Sequence, residues 1–539
     1  MQTVRAHMTS IIGLSGVLLT AIMTTLNEQV SAQGLNDIMG GMGLSHDPSR
    51  WFVSLYTSAQ VIGAGLSPWM AITFSLRRWA FFVLTLAVCS IVPMAFCQTP
   101  LLLYILRSMQ GLAGGFAIPL LMFSILKILP FNLRAYGLVA YTLVSTCFPY
   151  LGTMLAGLWT DLLSWQFIFL QAIPLGALAG LLIWYGMPIM EPQHHRLQIF
   201  NGYGLLFFAV AAWCLTTVLS LGDWLDWFNS PLVCVLGAIG LAAVPLLIWN
   251  EWTHPLPFFR FQLLSRNNYI YGVGGISLFV VVSLSASAVP LQFLTKVVGY
   301  RPEQSYLVTL EVAAVEIAIA PLVGYLLNRR DVDCRIVGFF GMLCMFIACC
   351  GDSLVTSVWQ RPEFYIWQFL QGIGGVMVLS SLLLMSTNAV VAEESPFAVA
   401  LVNMPRAFMM VGGTWLMELV GRWRGGLHSD RLADHLGQYR YALVQGSSPL
   451  IQSPTPLLPD GRPRFRGSMS YLKEQFHHQA AVLTLSDLFC VLAALLAVLM
   501  VFILLVPVRT YPPWVVFAPR GATKSPDHPV AHYKETIRT

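Results

Sequence analysis

Long apolar runs recur along the whole chain and constrain the fold more than any other feature. A helix needs about 20 apolar residues to cross the hydrocarbon core of a bilayer. Runs of that length fill most of the 539 residues, with short polar segments between them. Only 10% of the residues are charged, which is too few to cover the water-facing surface of a soluble protein of this length. The sequence therefore predicts an all-α integral membrane protein.

The apolar runs predict a chain that crosses the membrane fourteen times. They are continuously apolar rather than alternating, which excludes a membrane β-barrel. An even number of spans places both termini on the same side. The predicted spans are 10–31, 52–74, 79–97, 101–127, 136–158, 166–187, 203–221, 231–250, 269–294, 304–327, 336–355, 364–391, 398–421 and 481–507.

The basic residues between the spans predict the orientation, because Lys and Arg accumulate in short cytoplasmic loops. With the N-terminus inside, the inner segments carry Arg5, Arg77, Arg78, Lys127, Arg134, Arg196, Arg260, Arg266, Arg329, Arg330 and Arg335. The outer short loops carry only Arg50, Lys296, Arg301 and Arg361. We therefore expect both termini to be cytoplasmic.

An internal repeat is predicted from two glycine-rich spans. The fourth span contains QGLAGG and the twelfth contains QGIGGV, and aligning Gln110 with Gln371 also aligns Gly114 with Gly375. Both spans run in the same direction, as a parallel repeat of two transporter halves requires. The alternative is that both motifs only allow helix backbones to approach closely.

The offset of eight spans between these motifs predicts two six-helix bundles with two further spans between them. The predicted organisation is a first bundle over 1–190, two inserted spans with their connection over 191–260, and a second bundle over 261–508. The second bundle includes a long outer loop over 422–479, whose ends look helical. A polar tail follows over 509–539.

Several segments resemble the fourteen-span drug:proton antiporters of the major facilitator superfamily, the EmrB type. The segment SWQFIFLQAIPLG from Ser164 is similar to the start of their sixth helix, and GRWRGGLHSDRLADHL from Gly421 is similar to their last outer loop. The resemblance covers residues 10–508. The fourth span resembles their motif B through Arg107, Gln110, Gly111, Gly114, Gly115 and Pro119.

Three motifs depart from the pattern of that family. The acid expected in the first span is replaced by Asn27, with Glu28 beside it. The loop motif PWMAITFSLRR after the second span has lost its glycine and its acid. The motif between Gly152 and Gly157 in the fifth span has lost its proline.

Two ionisable residues in the first and fourth spans are candidates for proton coupling. An ionisable side chain inside a span is costly, so its default interpretation is functional. Glu28 and Arg107 lie at similar depths, about 9 Å from the outer ends of their spans at 1.5 Å per residue. They could form an ion pair that breaks and reforms during transport. The alternative is a static pair that only neutralises Arg107.

The tenth span carries two more acids, Glu311 and Glu316. Five residues correspond to about 140° of rotation on a helix, so the two side chains cannot both face one site squarely. Glu316, the deeper of the two, is a candidate second proton carrier or a counter-ion for a cationic substrate. The alternative is a protonated side chain that hydrogen-bonds between helices.

Polar residues within the spans are candidates for lining a substrate cavity. Arg406, early in the thirteenth span near the inner face, is instead expected to extend toward the cytoplasmic interface or to cap a cytoplasmic loop. The cavity candidates are Gln33, Gln60, Gln110, Gln371 and Asn403.

The sequence contains no enzyme motif. A phosphate-binding loop is absent, the cysteines have no paired spacing, and the histidine pairs in loops lack acidic or cysteine neighbours. We therefore expect no enzymatic activity, no cofactor and no metal site.

The resemblance implies a proton-coupled exporter of small amphiphilic compounds in the bacterial inner membrane. It further implies an EmrA-type periplasmic adaptor and a TolC-type outer-membrane channel as possible partners, with the long outer loop as a docking surface. Two alternatives stay open at this point. The protein could export one secreted metabolite, such as a siderophore, or it could be a non-transporting sensor or scaffold.

Overall fold

A computed structural model describes residues 2–42, 46–97, 99–388, 390–438, 468–505 and 510. The described residues are helices joined by turns and contain no strand. The helices are α1 (Gln2–Gln33), α2 (Leu35–Met42), α3 (His46–Phe74), α4 (Leu76–Ile91), α5 (Pro100–Ile128), α6 (Arg134–Ser145), α7 (Cys147–Leu162), α8 (Phe167–Leu170), α9 (Ala172–Gly186), α10 (Gly202–Leu221), α11 (Pro231–Thr253), α12 (Asn267–Val282), α13 (Ala288–Lys296), α14 (Pro302–Leu327), α15 (Cys334–Asp352), α16 (Arg361–Asn388), α17 (Ser395–Gln438) and α18 (Ser468–Leu505).

The prediction of a many-helix membrane protein is confirmed. Within the described ranges, thirteen helical segments are long and apolar enough to cross a membrane. The helix α3 is not among them, since it carries more polar residues. It is nevertheless 29 residues long and packs along α5, which is one of the thirteen. With α3 the bundle has the fourteen long segments expected from the sequence.

Three predicted spans are broken in the middle, which the sequence analysis did not anticipate. The spans are α6–α7, α8–α9 and α12–α13, with a short 3-10 helix over Ser283–Ala286 in the third. Proline has no N–H to bond the carbonyl four residues earlier, and its ring clashes with that carbonyl. In each span, the helix before the break ends at the residue four positions before a proline. The pairs are Ser145 and Pro149, Leu170 and Pro174, and Ala286 and Pro290.

The helices form two bundles that contact each other along two seams. The first seam is made by α3 and α5 against α17, and the second by α6 and α7 against α14 and α16. The inserted helices α10 and α11 pack on each other, and α10 also packs on α3 and α17. The inserted pair therefore covers the first seam only.

A hydrogen-bonded carboxylate attaches the inserted pair to the chain that follows it. Glu251 of α11 is buried and accepts from Asn201 Nδ2 at 2.8 Å and from the Phe259 backbone N–H at 2.7 Å. Asn201 Oδ1 in turn accepts from the Gly204 backbone N–H at the start of α10. These bonds hold the start of α10 and the end of α11 together at one end of the bundle.

Two helices run beyond the predicted spans into the segment 422–479, which was predicted to be an outer loop. The helix α17 continues to Gln438, and α18 begins at Ser468, well before the predicted start of its span at residue 481. The prediction of helical ends for this loop is confirmed. Its middle, 439–467, and the tail over 511–539 lie outside the described residues.

The turn between α3 and α4 holds a non-glycine residue in an unusual conformation. Ser75, in the degenerate loop motif, has φ of 78° and is buried. Its carbonyl accepts from the Trp79 backbone N–H and so starts α4. Non-glycine residues rarely adopt positive φ, so this turn is strained.

Candidate functional site

The glycines of α5 allow close packing against α3 and thereby position the site. A Cβ at Gly111 would overlap the Tyr56 carbonyl oxygen, and one at Gly115 would overlap the Gln60 carbonyl oxygen. A Cβ at Gly114 would lie 2.7 Å from the Tyr56 hydroxyl. Because the two backbones touch, polar side chains on α3 and α5 lie beside α1.

Glu28 of α1 is buried at the meeting point of these helices, with 9% of its surface exposed. Gln60 Nε2 donates to Glu28 Oε2 at 2.9 Å. The carboxylate therefore has a neutral donor from α3.

Arg107 of α5 lies near Glu28 but does not form the expected ion pair. Among the described residues, no Glu28–Arg107 contact lies within 4.0 Å. The guanidinium packs on the rings of Phe52 and Tyr56, with its Cζ at 4.4 Å and 4.2 Å from the two ring centroids. Its hydrogen bond goes to Gln110 Oε1 at 2.8 Å.

Gln110 has a structural position rather than one facing an open cavity. Its Oε1 accepts from Arg107, and its Nε2 donates to the Ser90 carbonyl oxygen at 3.2 Å in α4. Asn27 Nδ2 approaches the same Oε1 at 3.5 Å. Gln110 therefore links α1, α4 and α5.

Arg406 of α17 is buried, with 6% of its surface exposed, and the expectation that it extends to the interface is wrong. Its Cζ lies 5.9 Å from the centroid of the Tyr141 ring. The position of Arg406 in the sequence indicates its depth in the span but not the direction in which its side chain points. Glu28 and Arg107 are called the central charge group below.

Hydrogen bonds join the two bundles beside Arg406. The Tyr141 hydroxyl of α6 donates to Asn403 Oδ1 of α17, and Asn403 Nδ2 lies 3.3 Å from the Met122 sulfur of α5. Thr142 Oγ1 lies 3.0 Å from Ser380 Oγ of α16. Tyr141, Thr142, Ser380 and Asn403 are called the inter-bundle clasp below, and they lie toward the end of the bundle where α6 and α17 begin.

Glu316 of α14 is the buried acid at the second seam. Its Oε2 lies 2.6 Å from Thr146 Oγ1, at the break between α6 and α7. Thr146 Oγ1 also lies 3.0 Å from the Thr142 carbonyl oxygen. A hydroxyl has one hydrogen, so Thr146 donates to an ionised Glu316, or accepts from a protonated Glu316 while donating to Thr142. This arrangement accommodates both protonation states.

Glu311 does not share a site with Glu316, as the helical rotation predicts. It is partly exposed, and its Oε2 has no hydrogen-bond partner among the described residues. In the second bundle, Gln371 is buried and donates to the Cys349 sulfur at 3.4 Å. Gln33 is the last residue of α1 and is half-buried, away from the central charge group.

The remaining glycines of the motif in the fifth span pack against other helices. A Cβ at Gly152 would lie 2.8 Å from the Gln29 Cβ of α1, which sets the distance between α7 and α1. Gly157 is buried in α7. Within the described ranges, no group of three or more His, Cys, Asp or Glu side chains could hold a metal ion.

Tyr56, Tyr141 and Thr146 are site residues that the sequence analysis missed. Tyrosines and threonines are common within apolar spans, so their identity alone carries little signal. The only available signal was the position of Thr146 beside the carbonyl that Pro149 leaves unpaired.

Known proteins resemble this chain along most of its length. The sequence profile of the Major Facilitator Superfamily matches residues 9–404. The chain is 22% identical over 510 residues to the multidrug export protein EmrB of Escherichia coli K12, covering 89% of this chain and 92% of that protein. It is 24% identical over 449 residues to the fatty acid resistance protein FarB of Neisseria gonorrhoeae, covering 80% and 85%.

Two solved structures share the fold at low sequence identity. The human organic anion transporter MFSD10 aligns with a TM-score of 0.53 at 12% identity, covering 91% of this chain and 99% of that one. The proton:xylose symporter XylE aligns with a TM-score of 0.54 at 14% identity, covering 94% and 96%. The two bundles, the matching profile and these relatives lead to one conclusion: the chain belongs to the major facilitator superfamily, as a divergent relative of the EmrB-type proteins.

Proposed function

We propose that this protein is a proton-coupled exporter of small amphiphilic compounds across the bacterial inner membrane. Membership of the superfamily and the names of the relatives, multidrug export and fatty acid resistance proteins, support efflux. One observation carries the proton coupling: Glu28 is a buried carboxylate that accepts a hydrogen bond from the neutral Gln60 amide, and the guanidinium of Arg107, on the adjacent helix α5, does not contact it.

In this proposal Glu28 is the proton carrier and Arg107 controls its protonation. A cation that approaches a carboxylate favours the ionised form, and one that withdraws favours the neutral acid. Arg107 moves with α5, and Glu28 moves with α1. A change in the packing of α1 on α5 therefore makes Glu28 take up or release a proton. Glu316 is the proposed second carrier, because its contact with Thr146 tolerates both protonation states.

The orientation proposed from the basic loops assigns the inter-bundle clasp to the cytoplasmic side. The clasp lies toward the end where α1, α6 and α17 begin, and these helices start inside when both termini are cytoplasmic. This conformation would then be closed to the cytoplasm. Export requires the clasp to open so that a compound can enter from inside, as rocking of the two halves would allow.

We further propose that the long outer segment docks a periplasmic adaptor, which would connect to an outer-membrane channel. The helices α17 and α18 extend toward this segment well past their predicted spans. Deleting 445–467 should abolish co-purification of the adaptor while leaving the gel-filtration profile unchanged. Co-purification that survives the deletion would exclude this docking surface.

Everted vesicles with an acid interior test the exporter directly. Amphiphilic compounds should dissipate the pH gradient in the wild type and fail to do so with Glu28→Gln. The matched control is Glu251→Gln, since Glu251 is a buried carboxylate in a helix outside the site. If the compounds still dissipate the pH gradient with Glu28→Gln but not with Glu316→Gln, the coupling acid is Glu316 of α14. If they dissipate it with both variants, coupling through these two acids is refuted.

A further inference from the structure

The tip of the inserted hairpin, the turn over 222–230 between α10 and α11, is attached to the second bundle by two contacts. Arg422 Nη1 of α17 lies 3.0 Å from Asp223 Oδ1 of the tip. The rings of Trp227 in the tip and Trp415 in α17 meet edge to face, with their centroids 6.2 Å apart. These four residues are called the hairpin latch below.

The rest of the hairpin belongs to the first bundle, because α10 is attached to α3. Ser58 Oγ of α3 lies 2.6 Å from Thr216 Oγ1 of α10. At the start of α3, the Arg50 Cζ lies 5.8 Å from the centroid of the Trp224 ring in the tip. The helix α10 also packs more extensively on α3 than on α17. The latch therefore joins a part of the first bundle to α17 of the second.

The latch and the inter-bundle clasp lie toward opposite ends of α17. Asn403 of the clasp and Arg422 of the latch are separated by about 28 Å along this helix at 1.5 Å per residue. That distance is close to the thickness of the hydrocarbon core of a bilayer. The two bundles are therefore joined near both membrane faces in this conformation.

The closed tip contains costs that opening would relieve. Asp226 and Trp227 have φ of 59° and 49°, which non-glycine residues rarely adopt. Among the described residues, the indole N–H groups of Trp227 and Trp415 are buried without a hydrogen-bond partner, which is also costly. The ion pair of Arg422 with Asp223 is close but not aligned as a hydrogen bond, and partly exposed pairs contribute little to stability. The latch thus combines weak attraction with strain, as a contact that opens in every cycle requires.

We propose that the hairpin latch is the outer gate of the first seam, an inference that rests on the proposed export function and orientation. The latch holds α17 against the first bundle while the clasp opens to admit a compound from the cytoplasm. It opens for release on the outer side while the clasp is closed. Rocking of the two halves about a central site separates one end as it closes the other. Opening the latch should therefore favour closure of the clasp.

Hydrogen exchange of the purified protein in nanodiscs tests the gate without any transported compound. Asp223→Asn removes the ion pair and should accelerate exchange in the tip and around Arg422 about two- to fivefold, the effect of an exposed pair. Exchange in the first turns of α6 and α17 should slow by a similar factor, because the clasp is then closed more of the time. Exchanging the two charges, with Asp223→Arg and Arg422→Asp together, should restore the wild-type pattern at both ends.

The matched control for hydrogen exchange is Asp487→Asn. Asp487 of α18 pairs with Arg424 of α17 at 2.6 Å, only two residues beyond Arg422 but within the second bundle. Its loss should change exchange around Arg424 alone and leave the clasp end as in the wild type.

A reversible cross-link tests whether transport requires the gate to open. Asp223→Cys and Arg422→Cys are joined by propanediyl bismethanethiosulfonate, a spacer that dithiothreitol releases, and the protein is reconstituted in vesicles with an acid interior. Uptake of ethidium, a lipophilic cation, or decanesulfonate, an amphiphilic anion, should stop and return with dithiothreitol. A control cross-link between Arg424→Cys and Asp487→Cys, within one bundle, should leave uptake within about twofold of the wild type. The exposed native cysteines are first replaced by alanine; they are Cys89, Cys234, Cys350 and Cys490.

The outcomes separate the gate from the export function. Slower exchange at the clasp end, with reversible arrest of uptake, would support the gate. Faster exchange confined to the tip, or uptake that continues in the cross-linked protein, would overturn the gate and leave export standing. Slower exchange at the clasp end without uptake of either probe would support the coupled movement and count against export. Neither a change at the clasp end nor uptake would count against both proposals.

Discussion

Gln60 of α3 and Glu316 of α14 occupy equivalent places in the two bundles. A Cβ at Gly111 of α5 would meet the Tyr56 carbonyl, and a Cβ at Gly372 of α16 would meet the Val312 carbonyl. Gln60 and Glu316 each lie four residues after the contacted residue, one turn farther along the helix. One bundle therefore has an amide that donates to Glu28, and the other has a carboxylate of its own.

Thr146→Val should destabilise the protein by about 1–3 kcal/mol, because it removes the hydroxyl that pairs with buried Glu316 while keeping the side-chain volume. Thr146→Ser keeps the hydroxyl and should stay within about 1 kcal/mol of the wild type. The measurement is the thermal midpoint in detergent, followed by gel filtration. Equal midpoints for the two variants would mean that this hydrogen bond contributes nothing to stability.

Gly111→Ala should destabilise the contact of α3 with α5 by about 1–3 kcal/mol, because the added methyl overlaps the backbone of Tyr56, which cannot rotate away as a side chain could. The control is Gly274→Ala in α12, where nothing lies within 4 Å of the new Cβ. The control should be neutral or stabilising by up to about 1 kcal/mol, through helix propensity. A Gly111→Ala protein as stable as the control would contradict the close packing.

Tyr141→Phe should loosen the inter-bundle clasp. Losing one hydrogen bond of about 1 kcal/mol shifts the balance between closed and open conformations roughly fivefold. Hydrogen exchange should accelerate in the first turns of α6 and α17. The control is Tyr269→Phe, since the Tyr269 hydroxyl also donates to α17, at the Ala398 carbonyl, but from within the same bundle. Similar exchange patterns in both variants would count against a clasp between the bundles.

Ser75→Gly should stabilise the protein by about 0.5–1 kcal/mol, because glycine adopts positive φ without a Cβ clash, although it gains entropy in the unfolded state. Ser75→Val should destabilise it by more than about 1 kcal/mol, because β-branched residues tolerate positive φ least. Thermal midpoints of the two variants and the wild type check the order. A valine variant as stable as the glycine variant would exclude strain at this turn.

The sequence predicted the spans because hydrophobic length is a local property. It did not predict the three breaks, since a proline inside a run breaks some helices and not others. Pro149 interrupts its span at Thr146, whereas Pro119 lies within the unbroken α5. The outcome depends on whether neighbouring helices satisfy the carbonyl that proline leaves unpaired.

The candidate site was predicted only in part, because the sequence indicates the depth of a residue in a span but not the direction of its side chain. Charge inside a span identified Glu28 and Arg107, and both side chains contact α3, although they form no ion pair. The sequence could not give the rotation of each helix about its axis, which directs Arg107 onto the rings of Phe52 and Tyr56 and leaves Glu28 to Gln60. The rotation of α17 about its axis likewise explains why the Arg406 side chain is buried instead of extending to the interface.

The position of α10 has a mechanical consequence. Because this helix packs on α3 and α17 at once, it bridges the first seam, whereas no helix of the described ranges bridges the second seam in the same way. We therefore expect the two seams to differ in stiffness. Rocking of the bundles should deform the unbridged seam more, where Thr146 and Glu316 meet.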